Sequence, residues 1–318
     1  MRLNRLADYC PLMTRGRAAR RLLAIALLAA AAACAPTAAT KLYTGPTEPL
    51  DKVVAHINAN ASRIPTLWAT VKYFEATLVD EQHHSQFVNG NGSLLYRSGG
   101  DFRLDALKEG TPIFQIGTNA ERYWMKVFPD PTSTMWWGSF ANLDKAGVQQ
   151  LPVRPDLVRE VLGLSAIPAD LVSPPVPIMR FNNDARVYMI VWSIPKDDQW
   201  IPQREIWYDM TTFKPQRVLL FDSAGKGRVV LKADLLNPIP VSGADHPGDP
   251  TATVAGRYHL LFPDSGSTLD FELGQAALSH RDSASPASLP AAPNDGNFRF
   301  RIDPALNKVV QLDADVHP

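Results

Sequence analysis

The chain has 318 residues, 45% of them hydrophobic, and its 32 basic and 32 acidic side chains give a net charge of zero. That neutrality is a composite: the first 33 residues hold six arginines and one aspartate, leaving 26 basic and 31 acidic residues behind them, near −5. An acidic body excludes a polybasic grip on nucleic acid or an anionic membrane, and with Cys10 and Cys34 as the only cysteines it has no disulfide framework or cysteine zinc site.

The first element reads as an export signal. Arg20 and Arg21 precede an apolar run from Leu22 to Ala33, short of the roughly 20 apolar residues a permanent membrane helix needs. Ala31, Ala32 and Ala33 supply small side chains for a cut, and Cys34 follows. This pattern resembles the bacterial lipobox, in which the thiol is acylated with palmitate-type chains and the cut leaves a lipidated cysteine, although Ala31 stands where Leu is usual. An ordinary cut near Ala39 is the alternative; it would lose Cys34 and release a free periplasmic chain. Met13, followed by Thr-Arg-Gly-Arg, is the expected start in place of Met1. No later stretch approaches a membrane span, so attachment would rest on the acyl chains, at about 0.8 kcal/mol per buried methylene. Residues 34–48, rich in Ala, Thr and Pro, read as a flexible linker able to reach roughly 50 Å at about 3.3 Å per residue.

From Pro49 the pattern becomes periodic. Leu50, Val53, Val54 and Ile57 fall at helical spacing, predicting an amphipathic helix to about Ala61. "TLWATVKYFEATLV" is β-rich, and "FVNGNGSLLYR" carries an Asn-Gly pair between extended runs, the signal of a hairpin. "GDFRLDALKEG" alternates apolar and charged residues, and "TPIFQIGTNAERYWMKVF" gives two strands about a Gly-Thr-Asn turn. "STMWWGSF" reads as loop-like, its adjacent Trp136 and Trp137 forming a candidate aromatic flap. "RPDLVREVLGL" predicts a short helix ended by Gly163. After a Pro-rich stretch the strands return over 185–235, with Val229, Leu231, Ala233 and Leu235 on one face and "DMTTFKP" as a turn. Beyond Pro240, "VSGADHPGDPTATVAG" reads as a loop, "RYHLLF" and "STLDFEL" as a hairpin, and 279–296 as low complexity. "FRFRI", alternating Phe298, Phe300 and Ile302 with arginines, reads as a last strand.

Signal, linker, helix, long meander, helical insertion and second meander, in that order, resemble the LolA/LolB superfamily of bacterial lipoprotein carriers and their relatives. "GSLLYRSGGDFRLDAL", "PIFQIGTNAERYWMKVF" and "REIWYDMTTFKPQRVLLFDSAGKGRVVLKADL" are similar to its strand pairs and its close. The resemblance covers 49–237, making 1–33 the signal peptide, 34–48 the linker and 238–318 a C-terminal β extension outside the family pattern. It implies a mainly β (α+β) fold: a curved antiparallel sheet, an incomplete β-barrel covered by the N-terminal helix and the helical insertion. It implies that the apolar concave face binds a lipid, an acyl chain or an acylated protein, with Trp68, Phe74, Phe102, Phe114, Trp124, Val127, Trp192, Trp207 and Val230 as walls chosen by strand parity. Ala35 follows the cysteine in place of the Asp that resembles an inner-membrane retention signal, which favours the outer membrane, facing the periplasm. The expected protein is a monomer with no cofactor and no nucleic-acid partner. The alternative is an envelope protein-interaction or stress-sensing scaffold with the same fold and no lipid cargo.

Catalytic motifs do not accumulate. "PDSGSTLD" lacks the flanking glycines of a nucleophile elbow, and "SAGKGR" is a hairpin turn and not a phosphate-binding loop. His83 and His84 are adjacent, so on a strand they would face opposite ways, and Asp197 and Asp198 sit in a turn sequence. A non-enzymatic protein without a bound metal is expected.

Overall fold

The computed structural model describes residues 43–314 apart from 81, 130, 132, 144, 146, 149–150, 223–225, 245–247, 249 and 280–291. The chain divides after Tyr43 into two units, and the expected signal and Cys34 lie outside the described residues.

Helix α1 spans Leu50–Ser62. Pro49, extended at ψ 159°, starts it, Asp51 places an anion in its first turn, and Pro65 stops continuation past Arg63. Val53, Val54, Ile57 and Ala61 form its buried stripe.

Six strands follow in a meander: β1 (Thr66–Val79), β2 (Ser85–Arg97), β3 (Asp101–Lys108), β4 (Thr111–Thr118), β5 (Arg122–Val127) and β6 (Thr134–Ser139). After the insertion carrying helix α2 (Pro155–Val161), a second meander runs through β7 (Val176–Asn182), β8 (Val187–Lys196), β9 (Gln199–Asp209), β10 (Pro215–Phe221) and β11 (Val229–Leu236). The remainder supplies β12 (Ile239–Ser242), β13 (Thr253–Val254), β14 (Arg257–Phe262), β15 (Ser267–Ala277) and β16 (Lys308–Gln311). The result is the expected mainly β architecture, one large curved sheet that does not close, with two α-helices among the described residues. Its order is β16-β6-β5-β4-β3-β2-β1-β15-β14-β11-β10-β9-β8-β7. The β14–β15 hairpin therefore lies in the middle of the sheet and joins the two meanders.

The Asn-Gly pair expected to turn a hairpin lies inside a continuous strand, which corrects the sequence reading. Residues 89–92 run through β2, where Asn89, Gly90 and Gly92 pair with β1 and Asn91 and Gly92 pair with β3. The glycines serve close backbone approach: a Cβ on Gly90 would stand 2.1 Å from the Leu107 carbonyl oxygen and one on Gly92 1.9 Å from that of Asp105. Opposite them β1 is irregular. Leu67, Ala69 and Val71 are buried, Lys72 and Tyr73 are both exposed, and Phe74, Ala76 and Leu78 are buried again. This phase change is a β-bulge, with register shifts toward both β2 and β15. It bends the strand while keeping both halves' apolar residues on one face.

Two more corrections concern the aromatic stretches. "STMWWGSF" contains β6, in which Trp136 pairs with Met125 and Trp137 with Trp124, so the two tryptophans are strand residues and no loop flap. "FRFRI" forms no strand. Phe298 is 2% exposed, Phe300 packs 5.8 Å from Trp124 and 5.1 Å from Trp137 between ring centroids, and pairing begins only at Lys308, where β16 runs parallel to β6. Phe300 and Leu306 pack on the β5 and β6 cluster of Trp124, Met135 and Trp137, while Arg299, Arg301 and Ile302 between them stay exposed. Arg97 to Asp295 at 2.7 Å and the Asp313 carboxylate accepting the Ser139 N–H at 2.9 Å tie this strap at both ends.

Replacing Gly92 by Ala should lower the free energy of unfolding by about 1–3 kcal/mol, because β3 must move away from the new methyl. Urea unfolding checks this; an unchanged midpoint would mean that β3 is free to yield.

Candidate functional site

A cleft of about 1550 Å³ opens at one end of the second meander. The ladder between β10 and β11 ends at Arg217 opposite Asp234, so the β9–β10 turn and the end of β11 part company beyond it. Across the gap lies α1, presenting His56, Ala59, Asn60 and Arg63, while Leu162 and Leu164 from the end of α2 form a second wall. Tyr208, Leu235 and Val254 supply buried apolar surface, and Asp209, Lys214 and Arg217 supply charge.

Helix α1 is held across the gap by two side-chain amides that each mimic a strand pairing. Asn58 donates to the Ile167 carbonyl at 2.8 Å and accepts the Ile167 N–H at 2.8 Å. Asn60 does the same with Thr253, at 2.9 Å in both directions. A third tie is aromatic: His56 stacks on Phe213 at 4.2 Å, and Phe213 lies parallel to Tyr188 at 6.1 Å. Tyr188 in turn accepts the Glu48 N–H at 2.8 Å.

Phe213 adopts φ 55°, the left-handed region, which is costly for a bulky side chain. The turn is fixed by Asp209. One of its carboxylate oxygens accepts the N–H groups of Thr211 and Thr212 at 2.9 and 2.8 Å and both hydroxyls at 2.6 and 3.0 Å, and the other accepts Gln216 Nε2 at 3.2 Å. Burial pushes the Asp209 carboxyl up, but the donors of Thr211 and Thr212 together outweigh it and hold the group below its ordinary value. The sequence marks this turn only as "DMTTFKP"; the aspartate followed by two threonines is the signal that could have identified it as rigid.

The residues expected to line a cavity scatter. Phe74, Phe102, Phe114, Val127 and Trp192 are at most 1% exposed and fill the core. Trp124 points to the opposite face from its neighbours Tyr123 and Met125 and packs with Met135 and Leu306 beneath the strap. Trp68 shares that outer row through Leu95, Arg103 and Gly117, half-buried. Gly117 leaves room for Trp124, whose ring would be 2.4 Å from a Cβ there. Val230 borders a separate cleft of about 280 Å³. Trp207 alone of the nine lines the large cleft. Trp136 and Trp137 are half-buried, and Arg122 stacks over Trp137 at 5.3 Å. His84 pairs with Asp80 at 3.3 Å in the β1–β2 turn, and Asp197 and Asp198 form the β8–β9 turn with φ 48° and 59°.

No family model and no curated protein matches the chain. Solved structures do. The chain is similar to a LolA superfamily protein from Nitrosomonas europaea. The match is 11% identical, covers 76% of this chain and 97% of that one, and has a TM-score of 0.39. A domain described as an outer membrane lipoprotein-sorting protein from Vibrio parahaemolyticus matches at 12% identity over 71% and 90% of the two chains, TM-score 0.31. A DUF1329 family protein from Desulfovibrio piger matches at 8% identity over 73% and 93%, TM-score 0.34.

The depressed Asp209 carboxyl carries a pH signature. Its contribution is complete above the unfolded value of about 3.9 and is lost as pH falls through the lower folded value. Unfolding of the protein and of Asp209→Asn from pH 7 to 2 should show the protein more stable at neutral pH and the two converging in acid. A constant difference down to pH 2 would remove the carboxylate from the turn's support.

Proposed function

We propose that this chain is an envelope lipoprotein, held by acyl chains on Cys34 at the outer membrane and facing the periplasm, that binds a lipid, an acyl chain or an acylated protein. The reading is of a binder and not a catalyst. The observation that carries it is the cleft. It exceeds the roughly 300–1,000 Å³ of a usual small-molecule pocket, and part of its wall is apolar surface unable to satisfy polar groups. The expected binding surface thereby moves from the packed middle of the concave face to the place where β10 and β11 separate. An open seam in a sheet suits a long chain, which can enter sideways without unfolding anything.

The scaffold reading draws support from β7, the end of the sheet, where Ile178 and Phe181 are 55% and 50% exposed. A partner's extended segment could add a strand there. Crosslinking in cells that recovers a protein and no lipid would favour it.

Protein purified without detergent should release lipid detectable by mass spectrometry. Ala59→Trp, which puts a large ring from the exposed side of α1 into the cleft, should cut that lipid at least about tenfold with the circular dichroism unchanged. Equal lipid in both, or none in repeated preparations of the parent, counts against the cleft. Incorporation of labelled palmitate that disappears in Cys34→Ser tests the anchor; equal label in both removes it.

A further inference from the structure

The charged groups of the cleft do not cancel. Arg217 is spent, its Nε 2.6 Å from Asp234 and its guanidinium 4.8 Å over the Trp207 ring. Asp209, bonded inside its own turn by the neutral donors of Thr211, Thr212 and Gln216, keeps its negative charge, and Arg63 and Lys214 outnumber it. His56 is stacked on Phe213. Arg63 donates only to neutral acceptors, the carbonyl oxygens of Ala59 and Pro250, which leaves its positive charge unmatched. Lys214 is half-buried on the cleft wall between Phe213 and Pro215; its backbone carbonyl accepts the Asp209 N–H at 2.9 Å, but its ammonium makes no hydrogen bond or ion pair among the described residues.

An ammonium partly withdrawn from water gains from an anion and loses when an apolar ligand covers it without one. We propose that the cleft selects amphiphiles with an anionic head, a carboxylate or a phosphate, held by Lys214 with Arg63 adding to the field, while the tail lies along Leu162, Leu164, Tyr208 and Leu235. This rests on the reading that the cleft binds an apolar chain, and adds to it which end of the ligand is recognised. The acidic balance of the body does not oppose it, because the preference is set by the nearest unpaired cations and more distant surface charge is screened within about 8–10 Å.

The test displaces a neutral fluorescent naphthylamine from the full-length protein at pH 8 with palmitate, hexadecyl phosphate or hexadecanol, each below its aggregation limit. At least one anion should bind about tenfold more tightly than hexadecanol, and whichever is tighter assigns the head as carboxylate or phosphate. Lys214→Gln should bring the anions to within about twofold of hexadecanol while hexadecanol itself is unchanged, and Lys214→Arg should keep the preference. Equal binding of the three by the parent overturns the proposal and leaves the apolar cleft standing. So does a Lys214→Gln variant that weakens hexadecanol as much as the anions. Failure of all three to displace the probe overturns the binding reading itself.

Discussion

The fold depends on one ladder, β1 against β15. Each meander is a run of neighbouring antiparallel pairs that could form from local contacts, and among the described strands the two runs are joined in one sheet through the β14–β15 hairpin, by this pairing and the β14–β11 pairing behind it. It is tied at both ends by hydroxyls: Ser267, fully buried, accepts the Val79 N–H at 3.0 Å, and Thr66 donates to the Leu278 carbonyl at 2.7 Å. Between them, Thr70 Oγ1 accepts the Gln275 N–H at 2.8 Å where the bulge has opened the register. The strand partners are about 200 residues apart, so the ladder closes a long loop; long closures add entropy only logarithmically, and the buried apolar row of Phe74, Phe271 and Tyr258 offsets it.

Curvature and the cleft follow from that seam. The bulge in β1 turns the sheet without exposing its apolar face, and the same sheet, once curved, cannot keep every neighbour in register to the end of every strand. β10 and β11 separate where the β9–β10 turn is stiffened by Asp209 and wedged by Phe213. Helix α1 then bridges the opening, fastened by Asn58, Asn60 and His56. The cleft is thus a consequence of a rigid turn and a bridged gap, whose walls come from segments up to about 200 residues apart.

Much of the local structure was legible. α1 ends one residue from where its apolar spacing stops, α2 ends at Val161 with Gly163 just beyond its cap at a left-handed φ of 68°, and the β3, β4, β5 and β14–β15 segments fall where alternation puts them. The shift of apolar phase in "LWATVKYFEATL" also spells the bulge, though the segment reads first as one regular strand. "NGNG" misled because the same glycine that permits a tight turn also permits a bare backbone approach, and only the neighbouring strand distinguishes them. "FRFRI" misled because alternation describes a strand and a segment laid on aromatic rings equally well.

The sequence by itself determined both helices, most of the strands and the acidic charge of the body, because these depend on composition and on spacings of a few residues. Only the tertiary structure decided that the stretch past Asn237 supplies the centre of the sheet, that Phe74, Phe102 and Phe114 are packing and not lining, and that Trp207 and Lys214 meet α1 across a gap. Strand parity fixes which way a side chain points, but whether it meets another side chain or open space depends on partners that alternation does not encode.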